Sequence, residues 1–468
     1  MSDRVVTAVL AALVLVARLP FAAHTLWAWD SVLYARALEQ GFHVGADLMD
    51  QRPHPPGYIF YVGVAAALRL LTSDSNAALV AVSVIASAFT TAAVYVLCRR
   101  YVDRRLAVVV ALGAALSPLA WTYGEVAMPY ALLGLLSVVL AASIRDARTR
   151  PWPAALLASA AVGLAAGVRQ DLLLLLGPLW LWMLAARPWR ERLFCVAALA
   201  VAALAWFGPS ASLSGGAATY LASLGGQAGR VSELSPAAGG DALLRNTLLT
   251  LYALFWGLLG FAVLLVSGIV ASRRRWQLSE NVAFFALWLA PAALVYVTIH
   301  IGDPGYLMSV LPGLYVACAA LVAPTARRAP NAVLAWTALL VAVNAGVFAL
   351  ADTPFSAQAI TRHDRAVAQR LAWVRGLAPA STVILAQAEY LTARYYLPEY
   401  RVLFDGAAPE VLSRAVRAVR IASPTTVFFF GALPSPFPSS VRLDTAGEVP
   451  TGTVNPGMTL DAYDLEPR

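Results

Sequence analysis

The stretch TLWAWDSVLY, residues 25–34, sets one carboxylate, Asp30, between two tryptophans and Tyr34, where a long apolar run ends. Asp47, Asp50, Arg52 and His54 follow within a short polar segment that closes on Pro55-Pro56-Gly57-Tyr58. Further on, Glu125, the pair Arg169 and Asp171, and the group His300, Asp303 and Tyr306 each stand at the end of another apolar run. A carboxylate can take a proton from a reacting hydroxyl, and a guanidinium or imidazolium can meet a phosphate. Ionisable groups cost less at the ends of hydrophobic segments than at a bilayer midplane. Four separate loops presenting acids and bases on one side predict a shared cavity there.

Each residue also has a plainer reading. Trp27 and Trp29 fit an interfacial aromatic belt. Asp30 fits a cap on a helix expected over Ser31 to Glu39, where free amides and the helix dipole favour an acid. His54 fits an ordinary loop histidine, and Glu125, Arg169 and Asp171 fit interfacial side chains satisfied by water.

The elements that must hold these groups are membrane helices. The chain has 468 residues, 60% of them hydrophobic and 13% charged, and its mean hydropathy is +0.69, outside the range of soluble domains. All 34 basic residues are Arg. They fall in short clusters between apolar runs, so the net charge of +8 reflects membrane topology and not nucleic-acid binding. Cys98, Cys195 and Cys318 lie in or beside apolar segments without CxxC spacing, which supports neither a disulfide framework nor a zinc site. The N-terminal apolar run is read as a retained first helix and not as a cleaved signal.

Apolar stretches begin near residues 5, 77, 106, 128, 154, 172, 193, 243, 281, 306 and 330, giving about eleven spans of roughly 20 residues each. With Arg4 cytoplasmic, the inside loops carry Arg99, Arg100, Arg104 and Arg105, then Arg145, Arg148 and Arg150, then Arg187, Arg190 and Arg192, then Arg273 to Arg275, then Arg327 and Arg328. The outside loops after the first, which itself holds Arg36, Arg52 and Arg69, carry few, namely Arg169 in one and Arg230 and Arg245 around another. That bias sets the N-terminus inside and the C-terminus outside. Residues 24–76 form one large outer loop, in which the apolar stretch 55–71 is too short to span and reads as an interfacial helix. A second outer loop, 209–241, is rich in Gly, Ser and Ala and is expected to be mobile, a possible lid. The expected fold is an all-α polytopic membrane domain over residues 1–350. A small soluble α/β domain over 351–468 follows, with helical spacing over 362–377, strands at Thr382–Ala386 and Thr426–Phe430, a helix candidate near Glu410, and an accessory role.

WDSVLYARALEQG, then RPHPPGY, GEVAMPYALL, GVRQDLLLLLGPLW and HIGDPGYLMSVLPGL together resemble the membrane glycosyltransferases of the GT-C superfamily. The resemblance, over roughly residues 5–350, is to the protein O-mannosyltransferase and lipid A aminoarabinose transferase branch, also called glycosyltransferase family 39 or PMT-like. It implies transfer of a sugar from a polyprenyl-phosphate carrier outside the cytoplasmic (inner) membrane. Asp30 matches the family's catalytic first-loop Asp, His54 stands near the expected donor phosphate, and Tyr306 matches a Tyr close to that phosphate. Relatives often carry a second acid directly after the Asp; here it is Ser31.

On that reading Asp30 is the general base, and Arg52 and His54, with Arg169, meet the leaving phosphate. Tyr34, Asp50, Tyr58, Glu125, Asp171, His300 and Asp303 are candidates for substrate or secondary contacts. A single base without a second carboxylate as nucleophile fits inversion. No Asp-x-Asp pair occurs, so no divalent metal is required by the pattern and no cofactor is expected. The expected partners are a polyprenyl-phosphate sugar donor, the lipid bilayer and an acceptor protein, glycolipid or cell-wall polymer. A polytopic lipid or sugar transporter or flippase, or a non-catalytic lipid-binding scaffold, is the alternative; midplane charges and paired halves, which a transporter would favour, are not seen.

Overall fold

A computed structural model describes residues 2–261, 280–405, 416–423, 425–431, 438–444 and 449–465. The chain enters through α1, Asp3–Arg18, capped by Ser2. It then leaves the apolar region for α2, Trp29–Gln40, and α3, Ile59–Arg69. The helix α4, Ser75–Cys98, is capped by Asp74. Its Ala, Ser and Thr positions are small enough for α1, α3, α5 (Arg104–Ala115) and α7 (Tyr130–Thr149) to pack closely around it. The bundle continues through α8, Trp152–Ala165, α9, Asp171–Ala185, α10, Trp189–Leu213, and α12, Ala242–Leu258. The helices Glu280–Thr298, Leu311–Arg328 and Pro330–Leu350 complete its described part.

The chain is a multi-pass membrane protein. Among the described residues, six helices are long and apolar enough to cross a membrane by length and composition, and five shorter apolar helices accompany them. Each expected span start falls within a few residues of a helix, and the short stretch after Pro55 is the 11-residue α3. The expected Arg273 to Arg275 loop lies outside the described residues.

One expectation changes. The segment 209–241 is not an irregular loop: α10 runs on to Leu213, and Ala217–Glu233 forms a further helix, α11. Tyr220 anchors it, fully buried against Val44, Ala211 and Phe207. Alanine and leucine around that anchor outweigh the helix-weakening glycines.

Between α5 and α6, Pro118–Tyr123, the helical path breaks at Leu116 and Ser117, where Pro118 has no amide to offer the preceding turn and the bundle needs another donor. The Arg18 guanidinium fills that role, donating to the carbonyls of Ala115 at 3.0 Å, Ala120 at 3.3 Å and Trp121 at 2.6 Å. Glu125, fully buried, balances its charge at 3.8 Å and accepts from the Trp121 indole. Gly124 is required here, since a Cβ would lie 2.3 Å from Arg18.

Beyond the bundle, the helix Ala357–Arg375 leads into a seven-stranded sheet. Its strands are β1, Thr382–Ala386, β2, Arg401–Phe404, β3, Val416–Arg420, β4, Thr425–Phe429, β5, Arg442–Leu443, β6, Thr451–Val454, and β7, Thr459–Asp464. The order is β3-β7-β2-β1-β4-β6-β5, parallel at β2-β1-β4 and antiparallel toward both edges. Both expected strands are present, β4 shifted by one residue. The helix candidate near Glu410 lies outside the described residues, and Val416–Arg420 is a strand paired with β7.

Removing one member of a buried charge pair costs about 3–5 kcal/mol. Arg18→Ala is therefore expected to lower the unfolding free energy of the detergent-solubilised protein by that order, read as a fall in its denaturant midpoint, and an unchanged midpoint would show that the break is held by other contacts.

Candidate active site

The helix α2 starts at Trp29, so Asp30 lies in its first turn and does not precede it as a cap. The local bond belongs to Ser31, whose hydroxyl accepts from the Ala28 amide at 3.2 Å and donates to the Ala127 carbonyl at 2.9 Å. Ser31 is fully buried, which explains why an uncharged residue follows Asp30. The Asp30 carboxylate is thereby left free to face His54, with Oδ2 3.4 Å from Nε2.

His54 is aimed by its own loop. His43 and Arg52 exchange backbone hydrogen bonds of 2.7 and 2.8 Å, and Tyr58 takes a left-handed conformation, φ 52°. The Tyr58 ring lies edge-on to both His54 and Tyr34, and Tyr34 in turn meets Tyr61. The Nδ1 of His54 sits at hydrogen-bond distance from the Pro55 carbonyl, so Nδ1 carries a hydrogen. A neutral ring would then turn a lone pair toward Asp30, and the protonated ring fits instead.

Burial pushes the Asp30 carboxyl up, but the attraction of His54 and of Arg169 outweighs it and the group ends below the usual carboxylate range. Burial likewise pushes His54 down, and Asp30 more than reverses this, so the imidazole ends above its ordinary value. The depressed Asp30 contributes stability that is lost as pH falls through its folded value. The raised His54 contributes stability that is complete below the ordinary imidazole value and lost as pH rises through its folded value. The ion pair thus spans the interval between the two groups.

The pair opens on a cavity of about 390 Å³, lined also by Trp29, Gln51, Tyr130, Gln227, Arg230, Asp303 and Tyr306. Its far wall is the 3₁₀ turn Pro304–Ser309, capped by Asp303 through the Gly305 amide at 2.7 Å. Asp303 also accepts from the Tyr123 hydroxyl. Burial outweighs both bonds and pushes Asp303 up. Gly305 admits Tyr130, whose ring would sit 2.2 Å from a Cβ at this position.

Arg169 lies directly behind this wall. Its guanidinium carbon is 3.7 Å from the Tyr306 ring centroid, and it pairs with Asp171 at 3.0 Å. Burial opposes the Arg169 charge and Asp171 restores it. His300 packs behind Tyr306, its ring 6.4 Å away, and burial together with Arg245 and Arg169 pushes its pKa down.

Of the expected residues, Asp30, His54, Asp303 and Tyr306 line the cavity, and Tyr34, Tyr58, Arg169, Asp171 and His300 stand next to these or to one another without lining it, whereas three are held elsewhere. Arg52 turns the other way and donates to the Gln40 carbonyl at 2.9 Å, closing the end of α2. Asp50 is exposed on the turn Leu48–Asp50. Glu125 is buried with Arg18 in the bundle. Gln51, Gln227 and Arg230 were missed. For Arg230, on α11, the available signal was an arginine on the side where the charge bias is against one. It bonds to Gln227 at 2.8 Å.

Beside the cavity runs a second, apolar one of about 610 Å³, lined by Leu254, Phe285, Leu289, Tyr296, Leu307 and Leu314 among others. Consecutive residues Tyr306 and Leu307 face the first and second cavity respectively. Among the described residues no group of three or more His, Cys, Asp or Glu side chains could hold a metal ion.

The fold is that of a multi-pass helical membrane domain followed by a small sheet domain. The structure is similar to that of ArnT from Cupriavidus metallidurans bound to undecaprenyl phosphate, with a TM-score of 0.62 over 96% of this chain and 97% of that one at 14% identity. It is also similar to an oligosaccharyltransferase from Archaeoglobus fulgidus, with a TM-score of 0.53, 12% identity, and coverage of 86% of this chain and 62% of that one. AglB from the same organism, in complex with an inhibitory peptide and a dolichol-phosphate, gives a TM-score of 0.51 at 12% identity over 85% and 64% of the two chains. Residues 53–212 match the family model of dolichyl-phosphate-mannose-protein mannosyltransferases. No curated protein matches the sequence significantly.

With Asp30 neutralised, only the Pro55 carbonyl would still oppose burial and Arg169 at His54. Asp30→Asn is expected to move the His54 midpoint, followed by NMR of ¹³C-labelled histidine, downward from its parental value; an unmoved midpoint would show that the two groups do not face each other in solution.

Proposed function

We propose that the chain is an inverting glycosyltransferase that moves a sugar from a polyprenyl-phosphate-linked donor to an acceptor hydroxyl or amine on the outer face of the cytoplasmic membrane. One observation carries this reading: a carboxylate and an imidazole 3.4 Å apart share a polar cavity that adjoins an apolar groove. A lipid-phosphate sugar needs both surroundings, a polar one for its reacting end and an apolar one for its tail. The polyprenyl phosphates named for the similar ArnT and AglB structures support the same class of donor.

Asp30 takes the proton of the acceptor group as that atom bonds to the anomeric carbon from the face opposite the phosphate. The bond from that carbon to the phosphate oxygen breaks, and its electron pair leaves with the phosphate. His54 and Arg230 meet the charge that develops on the phosphate, Tyr306 offers its hydroxyl, and Arg169 adds its field through the Tyr306 ring. At rest Asp30 is a weak base because His54 holds its charge. A donor phosphate competes for that imidazolium, so Asp30 becomes more basic once the donor is bound.

A positioned base contributes about 10²- to 10⁴-fold. Asp30→Asn is expected to lower the transfer rate by at least about 100-fold while binding of the polyprenyl-phosphate sugar persists, and a variant that keeps its turnover removes Asp30 from the role. A hydrogen bond to a charged group contributes about 1.5–3 kcal/mol. Arg230→Gln is thus expected to weaken donor binding about tenfold or more and Arg52→Gln to leave it unchanged, measured by titration into detergent-solubilised protein; the reverse order would return the phosphate to the sequence-based assignment.

A further inference from the structure

The segment 22–28, which carries the chain from α1 into α2, has no regular structure. Its backbone groups find their partners elsewhere. Ala23 is tied to the bundle, its amide donating to the Glu125 carbonyl at 2.8 Å and its carbonyl accepting from Asn76 at 2.9 Å. The next three residues are tied to the C-terminal domain. The amides of His24 and Thr25 each donate to the Asp364 carboxylate at 2.9 Å, and the Thr25 hydroxyl adds a third bond at 2.6 Å. The Leu26 amide donates to the Tyr396 hydroxyl at 3.0 Å, and its carbonyl lies 3.1 Å from Nε2 of His363. The His363 ring packs on Trp27 with centroids 4.8 Å apart.

The far end of α2 is held by the same domain. Glu39 accepts from the Tyr395 hydroxyl and from Ser75, the latter at 2.7 Å. Adjacent tyrosines of the short helix Tyr390–Tyr396 thus reach one residue before α2 and one in its last turn, and Asp30 lies between. From these contacts we infer that the C-terminal domain is a clamp that sets the place of Asp30 against His54, with Asp364 as its principal positioning residue. This replaces a merely accessory role for the domain and rests on the reading of Asp30 as the base.

A carboxylate accepting three bonds is a strong, directional tie. Without it, the amides of His24 and Thr25 turn to water, and the entry to α2 keeps only the Ala23 anchor behind it and the Tyr396 and His363 contacts at Leu26 and Trp27. Misplacing a reacting group by about 1 Å costs on the order of 100-fold in rate. The clamp therefore acts on turnover, and the donor-binding groups His54, Arg230 and Tyr306 lie on other elements.

The full-length protein in detergent tests this with Asp364→Ala and the milder Tyr396→Phe. Amide exchange at His24 to Leu26 is expected to accelerate about tenfold or more in Asp364→Ala. The His54 midpoint is expected to fall in the direction given by Asp30→Asn, and kcat to drop about tenfold with the donor KM within about threefold. Tyr396→Phe is expected to move the same readouts less, and it decides the matter if Asp364→Ala does not fold. Unchanged exchange, or faster exchange with the His54 midpoint and kcat at parental values, overturns the clamp. If the parent itself transfers no sugar, the glycosyl-transfer reading fails, and exchange with the His54 titration still decides whether the domain positions Asp30.

Discussion

The site depends on one opposition of charges. Asp30 and His54 come from different elements, a helix and a Pro-rich loop, and neither is buried deeply enough to be inert, with side-chain exposures of 34% and 18%. Each group alone would be driven toward neutrality by the surrounding protein. Together they stay charged, because the field of each offsets the desolvation of the other. The pair cancels in sum, so the charge of an anionic ligand in this cavity falls to Arg230, which lines it as well.

Holding the pair requires a bundle whose helices break where the site needs them to. The break between α5 and α6 lets the chain turn toward Ser31, whose hydroxyl meets the Ala127 carbonyl. Carbonyls at the break accept from Arg18 at the end of α1, and the same Glu125 that balances Arg18 accepts the Ala23 amide. A single buried ion pair thus links the exit of the first helix, the break and the strap that leads to the site. Removing the break would spare the buried charges but would also lose the anchor for that strap.

The sequence made the fold legible because apolar runs and arginine clusters are local and repetitive signals. Asp30 and His54, which share the cavity, stand in short motifs that keep each beside its neighbours in sequence. Arg52 is grouped with them by the same motif. It stands two residues from His54, yet Pro53 lies between them and the side chains point to opposite ends of α2. Arg230 was passed over because its segment looked irregular; what folds Ala217–Glu233 is the packing of Tyr220 into a pocket built from Val44 and Phe207, a tertiary effect that no window reveals. The ties from Asp364 and Tyr396 join residues 339 to 370 positions apart and leave no mark in either local pattern.

These distances in sequence follow from the solvent. Within the bundle, apolar side chains pack against one another or against lipid, and that packing places a helix well but distinguishes poorly between small shifts along its axis. The helix α2 lies beyond that region, so packing against the bundle alone would leave its position loose. Directional polar bonds can supply what is missing, and only a folded domain on that side can present several of them in fixed geometry. Apolar packing then sets where the cavity is, and the polar bonds of the C-terminal domain set where the carboxylate stands inside it.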